Sequence, residues 1–166
     1  DLSDLPGRCI HLGDDPARTD EADGFLLLTA LEEDPDAQDR LLRSLRARPR
    51  PVWVANADLA APREWGFSVE PGALAQWLAR NVPVQPILFG KPFAPIFDLA
   101  LQRLPRSIAH LRILMVGDTL HTDVLGGCSA GLQTALVVGQ GVSAEIDWES
   151  AIDLTGIVPD HVIDRL

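Results

Sequence analysis

The feature that most constrains this chain is a short apolar run, Ile113-Leu114-Met115-Val116, that passes directly into Gly117-Asp118. A run this short, apolar at every position and closed by glycine, predicts a strand buried on both faces. Such strands belong to parallel sheets covered by helices. In those sheets ligands sit at the carboxyl ends of the strands, which is where Asp118 falls.

The rest of the chain repeats the alternation. Strands are expected over 8–12, 24–29, 51–55, 87–89 and 133–138, with a weak one over 161–163. Helical spacing appears over 36–48, 71–80, 94–104 and from Thr122 to just before Gly131. Pro71 suits the first turn of its helix. The fold class is therefore α/β. Pro83 and Pro86 interrupt the pattern and set a division into residues 1–86 and 87–166.

Composition removes several functions. The net charge of −10 is opposite to a nucleic-acid footprint. The local exception, Arg43 to Arg50, reads as a solvated helix end, where cations suit the helix dipole. No apolar run approaches the roughly 20 residues that span a bilayer, so no membrane partner is expected. Cys9 and Cys128 lie outside any paired motif and read as two buried free thiols in a reducing cytoplasm. The serines lack a G-x-S-x-G setting, and the histidines lack zinc-binding spacing. His121 reads as a solvent-facing loop residue, and Gly139-Gln140-Gly141 as a turn.

Two patterns carry chemistry. Asp118 ends a strand, and Asp123 opens a helix five positions on, so two carboxylates face one small volume. Hard oxygen ligands in a pair suit Mg²⁺, which keeps several waters and takes one or two carboxylates. Thr119 and Thr122 stand by as hydroxyl donors or helix caps. Upstream, Phe89-Gly90-Lys91-Pro92 puts a lysine between a strand and a helix. Charge neutralisation by such a lysine is a main source of rate in phosphoryl transfer.

The segments GKPFAPIFDLAL and ILMVGDTLHTDVLGGCSAGLQTALVVGQGVS resemble motifs three and four of the haloacid dehalogenase superfamily of phosphatases, and more narrowly its class IIA, nitrophenylphosphatase-like branch. The stretch ANADLAAPREWGFSVEPGALAQWL resembles that branch's cap, with Ala57 where the branch has proline, which predicts a less rigid loop. The resemblance implies the C-terminal half of a Rossmann-like parallel core over 87–166 and an α/β cap over 1–86. It implies a Mg²⁺-dependent phosphomonoesterase working through an aspartyl-phosphate. Lys91 becomes the motif-three lysine, holding the phosphoryl group and counted as both catalytic and substrate-binding. Asp118 becomes the direct metal ligand, and Asp123 a supporting acidic residue of metal site and catalysis. Asn56 and Asp58 fall in the cap's substrate-facing loop. The implied partner is a small phosphorylated metabolite, in the cytoplasm.

The first motif of that superfamily, Asp-x-Asp-Gly-Thr, is absent, and so is the second. Asp14-Asp15 lacks the spacing and the turn chemistry of a nucleophile. The expectation is a phosphatase fragment whose nucleophile lies outside this chain, with an N-terminal segment missing and the stretch from Gly13 to Ala22 shortened. A catalytically inactive binding or regulatory module is the alternative. The strand over 113–116 is expected to expose an apolar edge that another segment or another copy covers, making a homo-oligomer through that edge or the cap. The substrate is not specified.

Overall fold

The computed structural model describes residues 16–29 and 36–166. The expected strand over 8–12, Cys9 and the Asp14-Asp15 pair lie outside the described residues. The chain divides into two compact units. One runs through Ala60 and resumes over Ser68–Leu88; the other takes Ala61–Phe67 and Phe89–Leu166.

The first unit is built on a parallel sheet of three strands, β1 (Phe25–Leu27), β2 (Val52–Val54) and β5 (Ile87–Leu88), in the order β1-β2-β5. Phe25, Leu27, Val52 and Val54 alternate into the core. Helix α1 (Ala37–Ala47) buries Ala37, Leu41, Leu42 and Leu45, the stripe its spacing predicts. Helix α2 (Pro71–Asn81) starts on Pro71, whose missing N–H costs nothing there, and buries Leu74, Ala75 and Leu78.

The arginine run differs from its expected role. Arg43 and Arg46 are exposed, but Arg50 is only 6% exposed. Its guanidinium lies 4.6 Å from the Phe25 ring centroid and donates to the carbonyls of Thr19, Asp20 and Ala22 at 3.3, 3.3 and 2.7 Å. Arg48 donates to the Asp20 and Ala22 carbonyls as well. These carbonyls belong to or follow a 3₁₀ turn, Pro16–Glu21. A planar fork of five donors can satisfy several such orphan acceptors at once. Arg50 is thus a structural clamp instead of a solvated helix end.

A hairpin, β3 (Ala60–Arg63) and β4 (Gly66–Val69), follows β2 in the chain. Its pattern is inverted: Phe67 and Val69 are exposed while Ser68 is buried. No apolar-in alternation marks it as a strand pair.

The second unit carries the parallel sheet β6 (Leu114–Gly117), β7 (Gln133–Val137) and β8 (His161–Ile163), with β7 central. Leu120, Val124 and Leu136 form its core, with Trp148, Ile152 and Ile157 packed against them. Burial on both faces holds for β7, where Thr134 to Val137 are all buried, but not for β6. Leu114 is 46% exposed, because among the described residues β6 pairs only with β7. The Asp160 carboxylate ties the lower ends of β7 and β8 by accepting the Thr134 N–H at 2.8 Å and hydroxyl at 3.1 Å. Around the sheet lie α3 (Ala94–Gln102), α4 (Leu125–Ser129) and α5 (Trp148–Thr155). The last, not expected from the sequence, is capped by Asp147, whose carboxylate accepts from Ser150, and ends at Gly156 in the left-handed region. Cys128 is exposed, contrary to the buried thiol expected. No helix among the described residues is long and apolar enough to cross a membrane.

Candidate active site

The site forms where β6 ends. Gly117 is the last residue of the strand, and Asp118 and Thr119 continue it. The chain then makes a wide π-type turn, Leu120–Val124, before α4. The helix was expected from Thr122 with Asp123 opening it; instead Asp123 sits inside this turn. Both the Asp123 and Val124 N–H groups reach back to the Thr119 carbonyl, at 3.0 and 3.3 Å. Single wide turns of this kind recur at functional sites because they re-aim one side chain.

Here the re-aimed side chain is the Asp123 carboxylate, 2% exposed as a residue. It folds back over the strand. One oxygen accepts the Thr119 N–H at 3.2 Å; the other pairs with the Lys91 ammonium. Gly117 makes this fit, since a Cβ there would overlap the Asp123 carboxylate. Lys91 follows Gly90 at the start of a turn in which the Phe93 N–H meets the Gly90 carbonyl, and its bond to Pro92 is cis. Its side chain is 41% exposed, so the buried carboxylate holds an ammonium that solvent reaches.

Asp118 is gripped from the loop that follows β7. Its carboxylate accepts the Val142 N–H at 2.8 Å and the Thr119 hydroxyl at 3.2 Å. Its carbonyl accepts the buried Ser143 hydroxyl at 2.5 Å. Gly141 stands between, at φ 69°, where a Cβ would both strain the backbone and overlap the Asp118 carboxylate. A cleft of about 310 Å³ opens here, lined in part by Gly117, Asp118, Gln140 and Gly141. A cavity of similar size, lined by Leu101, Leu104, Ile108 and Ile113, contains none of these groups.

Lys91, Asp118 and Asp123 thus come together in the second unit. Asn56 and Asp58 belong to the first. There the Asn56 side-chain oxygen accepts the Asp58 N–H at 3.0 Å, and its amide nitrogen donates to the buried Glu70 at 3.2 Å. Glu70 also accepts the Ser68 hydroxyl at 2.6 Å, and the Asp58 carbonyl accepts the Gly72 N–H at 2.9 Å. His121 is exposed on the turn, as expected. The sequence assigns Gly141 the role of a turn residue and none to Val142 or Ser143. Their signal was positional: a glycine-bounded loop after a second parallel strand ends at the same sheet edge as Asp118.

The donor set fits Mg²⁺. A carboxylate offers about four lone-pair positions. Asp118 spends two of these on hydrogen bonds and has others left over. Asp123 is committed to Lys91 and Thr119, which suits a supporting role. Among the described residues no group of three His, Cys, Asp or Glu side chains converges on one point. Two carboxylates are what a largely hydrated hard ion asks of a protein.

Comparison with known proteins agrees with the topology. The HAD-hydrolase-like family matches residues 88–166. A haloacid dehalogenase-like hydrolase from Brucella suis superposes with a TM-score of 0.70 at 27% identity, covering 99% of this chain and 60% of that one. The fold is that of the haloacid dehalogenase-like hydrolases. A p-nitrophenyl phosphatase from Archaeoglobus fulgidus superposes with a TM-score of 0.70 at 26% identity, covering 89% of this chain and 55% of that one. The 5'-nucleotidase YutF of Bacillus subtilis is 34% identical over 111 residues, which are 67% of this chain and 41% of that protein. The chain therefore spans about half the length of the proteins it matches.

Proposed function

We propose that this chain is part of a Mg²⁺-dependent phosphomonoester hydrolase of the class IIA branch, working through an aspartyl-phosphate whose nucleophile lies outside these 166 residues. Residues 1–86 serve as cap and 87–166 as the C-terminal half of the core. The observation that carries this is the Lys91–Asp123 ion pair beside Asp118 at the carboxyl end of a parallel sheet. Relatives described as a nucleotidase and a nitrophenyl phosphatase support the reaction class.

In this reading Asp123 holds the Lys91 ammonium in place, and Lys91 meets the phosphoryl oxygens of the substrate. Lys91 thereby offsets the charge spread over these oxygens in the transition state. Asp118 presents its free lone pairs to the cation. Mg²⁺, when bound, supplies the remaining charge neutralisation. Asn56 and Asp58 contact the organic part of a small phosphorylated metabolite. No nucleic-acid or membrane partner enters, and the working compartment is the cytoplasm.

The test is hydrolysis of an aryl phosphate with Mg²⁺. The chain alone is expected to be inactive. A longer form that adds an Asp-x-Asp-Gly-Thr strand is expected to be active and to lose at least about 100-fold in rate on Asp118→Ala or Lys91→Ala. Activity in the chain alone that Asp118→Ala abolishes would show that the nucleophile is inside it. Silence in the longer form would favour a binding module.

A further inference from the structure

We propose that Ser143 is a positioning residue for the cation site, acting through Asp118; this rests on the reading of Asp118 as the cation ligand. The loop after β7 holds Asp118 at two points. The Val142 N–H fixes the carboxylate at 2.8 Å, and the Ser143 hydroxyl fixes the main-chain carbonyl at 2.5 Å. Asp118 lies one residue beyond β6, so its carbonyl has left the sheet ladder and needs another donor. Ser143 supplies it from a position 2% exposed, where water does not compete.

The two bonds have different tasks. Ser143 sets where the strand tip lies, and Val142 sets how the carboxylate turns. Gly141 lets the loop approach closely enough for both, because any side chain there would occupy the carboxylate's place. With both bonds made, the hydrogen-bonded lone pairs of Asp118 point at Val142 and Thr119, which leaves the others for the cleft. Without the Ser143 bond, the strand tip is free to shift, and the carboxylate no longer meets Val142 and a cation in one geometry. Groups that orient a metal ligand in this way typically change affinity by about 10- to 100-fold.

The experiment is Mn²⁺ uptake by the 166-residue chain, read by the loss of the free-ion electron paramagnetic resonance signal, with Mg²⁺ as competitor. Ser143→Ala is expected to weaken uptake by at least about tenfold, counted per folded molecule. Ser143→Thr, which keeps the hydroxyl, is expected to restore it to within about threefold, well inside that range. Should Ser143→Ala not fold, Ser143→Cys fills the same space with a weak donor and is expected to show the same loss. Unchanged affinity in Ser143→Ala or Ser143→Cys overturns the proposal, even if the melting temperature falls. No uptake by the unaltered chain, or equal uptake by Asp118→Asn, instead removes the reading of Asp118 on which it rests.

Discussion

At the scale of single residues, the site depends on two absent side chains. Gly117 leaves room for the Asp123 carboxylate and Gly141 for that of Asp118. Replacing Gly117 by Ala forces a buried carboxylate, or the strand tip, to move. Overpacking of this kind costs about 1–3 kcal/mol. Gly117→Ala is therefore expected to lower stability by about that amount in urea melts and to disrupt the Lys91–Asp123 pair. A variant as stable as the parent, with the Lys91 resonance unshifted, would show that the notch is not needed. The two aspartates and Lys91 were legible in the sequence because carboxylates at a strand tip and a lysine before a helix form a spacing pattern. The Asp118 clamp was not. Val142 acts through its backbone N–H, and the Ser143 hydroxyl binds the main-chain carbonyl of Asp118, so neither contact pairs two side chains whose spacing could reveal it.

At the scale of elements, strands β6 and β8 flank β7 and meet different conditions. Asp160 binds the Thr134 N–H and hydroxyl, and these two bonds, the backbone one first, lower its pKa below the ordinary 3.8. A carboxylate depressed in the folded state stabilises fully above its unfolded value. That contribution is lost as pH falls through the lower folded value. Asp160→Asn is expected to reduce stability at neutral pH and to flatten the acid limb of a stability-against-pH curve; an unchanged acid limb would remove Asp160 from the account. Among the described residues strand β6 pairs on one edge alone, and Leu114 is half-exposed beside the other. The chain is expected to self-associate as concentration rises, and Leu114→Lys to suppress this with the circular dichroism unchanged. Sedimentation velocity decides, and a monomeric unaltered chain at high concentration would sink the idea. Most elements were visible in the sequence because their apolar spacing follows their period. The hairpin β3–β4 was hidden because its apolar residues face outward and its serine inward. The β6 exposure was hidden because an apolar run reports burial only when neighbours lie on both sides.

At the scale of the whole molecule, the α/β class followed from alternation alone, and the two compact units each hold a parallel sheet of three strands. Parallel neighbours are never joined by a tight turn. Among the described residues each parallel ladder links strands separated by at least one helix, while the small hairpin pairs strands adjacent in the chain without one. Every parallel ladder must therefore close a long loop before its contacts repay the lost chain entropy. Recovery of this protein is then governed by the race between slow loop closure and intermolecular pairing of unfinished strands. Refolding from urea at high dilution is expected to return more native protein than refolding at high concentration, with the difference largest in the first seconds, before the sheets have closed.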